Sequence, residues 1–357
     1  MKYFFILTFY LLILSCEKIN PDTKAYLDKK TTNFDSQNKL FKDINNQIKK
    51  SKIIFLGEQN HGDANTLTIK SEFIESFVNY SNDSVLLIFE SDYVGNYFFA
   101  NSSNYKDFIY PVWTKCKLGN TMKIIDSLVK KNKIEIMGID PVLFPLTLKK
   151  IQENKTFDSN VIDLINKKKP CKDFEAIKNP DLYKIKQPQI RNSLAAFNEM
   201  KCTSKRGNIR DKQMAINLYD IYLKNKNKKI IVWAANTHIS KNFIEFVYTK
   251  NYKKIQSMNR EISMVQHFKK LTDIKTTSIG FTSKKGEFGR VGSAKKQIKV
   301  TKKDLEYYLK GKFNLINLNE ADNVIFNSQI YNHLSLSADW GKMFDFVVNI
   351  EENEPCV

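Results

Sequence analysis

From Lys52 onward the chain alternates short apolar runs with longer stretches whose apolar residues recur at helical spacing. Ile53-Ile54-Phe55-Leu56, closed by Gly57, has the pattern of a strand buried on both faces. Residues Ala64 to Asn79 place Leu67, Phe73, Ile74 and Phe77 at intervals that predict a helix. Further strands are predicted at Val85 to Phe89, Ile134 to Met137, Ile230 to Trp233, Thr277 to Phe281 and Phe346 to Ile350. Apolar strands separated by helices predict an α/β fold with a mainly parallel sheet flanked by helices. Between about residues 144 and 207 the pattern loosens into Lys-rich amphipathic segments broken by Pro170, Pro180 and Pro188. This stretch reads as a helical insertion, with a second, smaller domain as the alternative.

The N-terminus has a different character. One Lys precedes an apolar run from Tyr3 to Leu14, and Ser15-Cys16 follows. The run is too short to span a bilayer but suits the core of a signal peptide. Ile13-Leu14-Ser15-Cys16 resembles the lipobox of bacterial lipoproteins, so Cys16 is the expected lipidation site and mature N-terminus. The organisation read from the sequence is a signal peptide over 1–15, a polar tether over 16–37, and one α/β domain over 38–357. That predicts an extracytoplasmic, membrane-anchored protein. Cys116, Cys171, Cys202 and Cys356 remain, without CxxC or Cys/His metal spacing, and could form disulfides by any of three pairings.

Composition changes this picture little. With 42% hydrophobic and 27% charged residues, the chain is neither disordered nor polytopic. The formal charge of +19 raises the question of nucleic acid. Only five of the 57 basic residues are Arg, however, and Lys lacks the bidentate geometry of specific recognition. A solvated Lys-rich surface, with no specific nucleic-acid partner, is the reading taken.

The candidate chemistry lies where the strands end. The first strand runs into Gly57-Glu58-Gln59-Asn60-His61-Gly62, the second into Glu90-Ser91-Asp92, the third into Asp140, and the fourth into Asn236-Thr237-His238. In a parallel sheet these are carboxyl ends, where ligands bind. Loop polarity and helix capping are the plain explanation for Asp92 and Asp140. They explain less well why two of only four histidines fall here beside carboxylates. An imidazole can take a proton from water near neutral pH, and a carboxylate beside it fixes the tautomer and stabilises the imidazolium. His61 is therefore the expected general base, with Glu58 or Glu90 orienting it or the water. Asn208 to Tyr219 predicts a helix with Arg210, Met214 and Asn217 on one face, and an Arg there could stabilise developing negative charge. Catalytic residues are thus expected at His61, Glu58, Glu90, His238 and Arg210, and substrate-binding residues at Asn236, Asp140, Met214 and Asn217. No G-x-S-x-G elbow, phosphate-binding loop or HExxH helix is present. His267 and His333 are read as structural.

These motifs, in order, resemble the erythromycin esterase-like proteins: Leu56-Gly57-Glu58-Gln59-Asn60-His61-Gly62, Phe89-Glu90-Ser91, Gly138-Ile139-Asp140, Arg210 to Asn217, and Trp233-Ala234-Ala235-Asn236-Thr237-His238. The resemblance spans about residues 52 to 350. It implies an α/β fold with a helical insertion and hydrolysis of an ester or lactone, which for the founding members is the macrolactone of an antibiotic and confers resistance. It also implies that His61 activates water without a required cofactor. Ala235 stands where the family usually has a first His, Asn65 where it often has Glu, and Lys70 where it often has Arg. Related GExxH domains connected with iron or haem imply the alternative, a non-catalytic binding lipoprotein holding a divalent metal or haem through Glu58, Glu90 and His238.

Overall fold

A computed structural model describes residues 19–81, 83–99, 105–116, 120–153, 162, 163, 165, 187–243, 262–319 and 323–356. Cys16, the signal segment and most of the middle of the insertion lie outside the described residues. The strands are β1 (Thr31–Phe34), β2 (Ile53–Leu56), β3 (Val85–Asp92), β4 (Ile134–Asp140), β5 (Lys229–Trp233), β6 (Thr276–Phe288), β7 (Lys296–Gln297), β8 (Phe313–Asn317), β9 (Ile325–Tyr331), β10 (Leu334–Asp339) and β11 (Phe346–Asn353). The main sheet runs β1-β8-β11-β6-β2-β5-β3-β4, with β7 paired to the C-terminal end of β6. The six strands from β11 to β4 are parallel, and β8 and β1 add to one side antiparallel. The expected α/β class, with its mainly parallel sheet flanked by helices, is the observed one.

The central strands are apolar on both faces because helices cover both. Ile53 and Phe55 of β2 pack into one core, while Ile54 and Leu56 pack into the other. The helices are α1 (Pro21–Lys30), α2 (Gln37–Ile48), α3 (Ala64–Tyr80), α4 (Tyr93–Phe99), α5 (Pro111–Lys115), α6 (Thr121–Lys130), α7 (Pro145–Glu153), α8 (Pro188–Cys202), α9 (Arg206–Lys224), α10 (Asn236–Ile239), α11 (Met264–Lys269) and α12 (Leu305–Tyr308). Leu67, Phe73, Ile74 and Phe77 put α3 on one core, and Met214, Ala215, Leu218 and Ile221 put α9 on the other.

Two features differ from the sequence reading. Residues 21–34, expected within the tether, form α1 and β1, and β1 pairs with β8 from Thr31↔Ile316 to Phe34↔Phe313. A polar segment can still complete a sheet edge, where backbone pairing matters more than an apolar side. Second, β9 and β10 form a separate hairpin. Its turn residues Asn332 (φ 50°) and His333 (φ 54°) are left-handed, as a tight two-residue hairpin turn requires.

Candidate active site

The strand order places the carboxyl ends of β2, β5, β3 and β4 side by side, and Glu58, His61, His238, Glu90 and Asp140 meet there. Glu58 is fully buried. One of its oxygens, Oε1, lies 2.8 Å from His61 Nδ1, and the other accepts from Lys70 Nζ, a group also without solvent exposure. Lys70 reaches Glu58 from α3, with Nζ 4.3 Å from the centre of the Trp233 ring. Burial pushes the Lys70 ammonium down to about 8, against the upward pull of Glu58.

Glu90 ends the second half of the cluster. Its Oε1 accepts from Arg210 Nη2 at 2.8 Å and faces His238 Nε2 at 3.0 Å, while Oε2 accepts the Ala235 N–H at 2.9 Å. Burial alone would raise this carboxyl. His238, Arg210 and His61 outweigh that and hold it well below the usual range. Arg210 is clamped against Asp140, with Nε 3.1 and 3.0 Å from the two carboxylate oxygens. Burial works against its charge, and Asp140 and Glu90 more than restore it.

The two histidines differ in a way that decides their chemistry. His238 has a carboxylate oxygen at each ring nitrogen, Asp211 Oδ1 at 2.5 Å from Nδ1 and Glu90 Oε1 at 3.0 Å from Nε2. Both ring nitrogens therefore already meet protein partners, and Nε2 also lies 3.4 Å from Arg210 Nη1. His61 has one nitrogen on Glu58, and its other, Nε2, stands 3.7 Å from Glu90 Oε1, beyond hydrogen-bond distance. With Nδ1–H donated to Glu58, Nε2 is the group in this cluster set to accept a proton. The His61 side chain is 11% exposed, between Tyr110 and Trp113, whose ring centres lie 5.5 and 5.4 Å away in edge-to-face contact.

That aromatic wall is fixed covalently. A disulfide joins Cys116, just after α5, to Cys356, whose backbone N–H donates to Gly62 O beside His61. Cys202 is also disulfide-bonded. From the other side the β9–β10 hairpin holds the loop. Gln59 Nε2 donates to Gln329 O at 2.6 Å, and Asn60 Nδ2 to Asn332 Oδ1 at 2.8 Å. Asp63 Oδ1 lies 3.0 Å from Nε2 of the buried His333 ring, which stacks on Phe288. Asp63 Oδ2 in turn accepts the Asn60 N–H.

Three residues expected to bind substrate serve the fold instead. Asn236 is buried, with Nδ2 donating to Phe281 O and Ile330 O and Oδ1 accepting from Phe281 N–H, so its amide ties β5 to β6 and β9. Asn217 donates to Ile139 O and accepts from Ser193 and Gln213, joining α9 to β4 and α8. Met214 is a core side chain. A divalent metal on Glu58, Glu90 and His238 does not fit this donor set. The carboxylate oxygens already meet an ammonium, a guanidinium, imidazoles and a backbone N–H. Lys70, Asp211, Tyr110, Trp113 and His333 were not singled out as site residues from the sequence. Asp211 carried a signal as the neighbour of Arg210, and Lys70 as the residue standing where the resembled family often has Arg.

The erythromycin esterase family model matches residues 154–307, a span that includes Arg210, Asp211 and His238 and leaves out Glu58, His61 and Glu90. No curated protein sequence matches the chain. Among solved structures, a Bacillus cereus protein aligns at 16% identity with a TM-score of 0.69, covering 94% of this chain and 98% of that one. A succinoglycan biosynthesis protein aligns at 13% identity with a TM-score of 0.69, covering 94% and 97%. A mutant of the erythromycin esterase EreC in its open conformation aligns at 14% identity with a TM-score of 0.63, covering 90% and 98%. The chain is thus similar in fold to an erythromycin esterase, and its 154–307 segment matches that family's model.

Proposed function

We propose that this protein is a lipid-anchored hydrolase of a carboxylic ester or lactone, with His61 activating water. The observation that carries the reading is the asymmetry of His61: Nδ1 is held by buried Glu58, and Nε2 has no hydrogen-bond partner in range among the described residues. Water at Nε2 gives up a proton as its oxygen attacks the carbonyl carbon. Glu58 stabilises the imidazolium so formed, and Lys70 keeps Glu58 in place. Arg210, whose side chain is 24% exposed, lends its positive charge to the developing oxyanion. When the tetrahedral intermediate collapses, the imidazolium proton passes to the leaving alkoxide, which releases alcohol and acid (for a lactone, one hydroxy acid). No metal or cofactor enters this route.

The membrane anchor rests on the Met1 to Cys16 pattern, and the Cys116–Cys356 disulfide suits an oxidising extracytoplasmic compartment. Wild type and His61→Ala should be compared on a panel of aryl esters, alkyl esters and lactones of increasing ring size. Turnover should fall by about 10² or more in the variant, with an unchanged unfolding midpoint. Equal turnover by the two proteins would overturn the assignment.

A further inference from the structure

A second cavity, of about 570 Å³, lies away from the crevice and shares none of its residues. It is lined by residues of α1 and β1, Lys284 of β6 and the segment 305–310. Its volume is that of a small-molecule site rather than a packing defect. Leu27, Leu305 and Leu309, all buried, give it an apolar lining. Lys24, Lys284 and Lys310 bring three cations against one carboxylate, Asp28. Asp28 is itself held by Lys24 at 2.5 Å, and Lys284 is steered inward by its 2.6 Å bond to Leu309 O. Two tyrosines complete the wall: Tyr308 is fixed through its hydroxyl to Lys302 O, and Tyr307 is 44% exposed.

Leucine together with lysine and tyrosine is the composition that side chains adopt where hydrocarbon meets a charged headgroup layer. The place fits as well. Ile19 lines the cavity, and three Cα–Cα steps separate it from Cys16, a reach of at most roughly 11 Å. We propose that this cavity binds an anionic amphiphile, its acyl chain on the leucines and its head on the lysines. For its setting, not for its chemistry, the proposal rests on the reading of Cys16 as the lipid anchor. An anchor there brings the mouth of the cavity to the headgroup layer, where an anionic phospholipid is the nearest ligand. A free fatty acid carries the same chemistry.

The test is photolabelling of the full protein, isolated from membranes in a non-ionic detergent and reconstituted. One arm uses phosphatidylcholine vesicles containing diazirine-bearing phosphatidylglycerol, a second uses diazirine-bearing phosphatidylcholine alone, and a third uses diazirine-bearing palmitate. Labelled peptides are mapped by mass spectrometry. Label should appear in peptides spanning 19–33 and 303–310, from phosphatidylglycerol or from palmitate, and less from phosphatidylcholine. Lys24→Glu with Lys310→Glu should cut that label about tenfold or more, since two of three cations change sign. Lys310→Gln alone should cut it less and serves if the double variant unfolds. Palmitate labelling without phosphatidylglycerol labelling identifies the free acid as the ligand. Absence of label from both peptides, or label indifferent to headgroup charge and to the lysine changes, overturns the proposal. Recovery of wild type in the soluble cell fraction would refute the anchor, and the palmitate arm would still decide the cavity.

Discussion

Glu58→Gln separates what the Glu58 carboxylate does for stability from what it does for His61. In the native protein the charged Lys70 already carries a penalty: its drop from 10.5 to about 8 corresponds to about 3 kcal/mol. Removing the Glu58 charge removes the largest influence holding that ammonium up, so Lys70 would shed its proton at neutral pH. Neutralising a lysine at pH 7.5 costs about 4 kcal/mol, so its share of the damage is capped at about 1 kcal/mol. The glutamine carbonyl can accept from Lys70 or His61 but not both, and one lost charge-assisted bond adds about 2 kcal/mol. The expected destabilisation is therefore about 3 kcal/mol, read by denaturant unfolding. Hydrolysis should fall further than folding, by about 10² to 10⁴, because an amide neither fixes the Nδ1–H tautomer nor stabilises an imidazolium. Adding Lys70→Met to Glu58→Gln should recover part of the stability and none of the turnover. A Glu58→Gln enzyme within twofold of wild type, or a double variant less stable than the single, would refute this account of the pair.

Two further outcomes follow from groups around the crevice. Burial pushes Asp92 up to about 7, so its carboxyl binds its proton more tightly folded than unfolded. The stability it contributes is complete below about pH 4 and lost as pH rises through 7. Asp92→Asn should flatten that decline while costing about 1 kcal/mol, since one amide oxygen cannot accept both the Gly95 and Phe144 N–H groups. His333→Gln places an amide N–H near the ring Nε2 and should keep the His61 loop in place, whereas His333→Leu should not. The readout is carbethoxylation of His61 followed by mass spectrometry. A changed rate in the leucine variant, restored in the glutamine variant, is expected, and equal rates in all three proteins would show that the hairpin does not position His61.

What the sequence made legible follows from where each element sits. Strands β2, β3 and β5 lie inside the sheet and are covered on both faces, so they read as apolar runs, and β4, at the edge opposite β1, is still marked by Ile134, Ile136, Met137 and Ile139. At the sheet edge β1 reads Thr-Thr-Asn-Phe, and α1 buries only Leu27, so neither shows a hydrophobic period. Strand β9 hides for another reason: Ser328 and Gln329 are buried polar residues, the Ser328 hydroxyl donating to Glu306 and the Gln329 amide to Lys299 O and Asp304, which no hydrophobicity pattern reveals. Glu58 and His61 were legible because a single short loop carries both. Asn236 and Asn217 were misread because an amide at a strand end or helix face looks the same whether it faces a ligand or ties backbone together. Tyr110 and Trp113 reach His61 through a turn anchored by Cys356, and local sequence holds no sign of so distant a partner.

The disulfide between Cys116 and Cys356 has a consequence for how the chain comes apart. Its two ends are 240 residues apart, so it closes β4 to β11 and the whole of the helical insertion into one covalent ring. A single protease cut anywhere inside that ring opens it without freeing a fragment. The nicked protein would migrate as one species until reductant is added, and the Tyr110–Trp113 wall would stay tethered beside Gly62. Damage to the insertion, the long polar stretch between α7 and α8, is thereby uncoupled from loss of the residues that border His61.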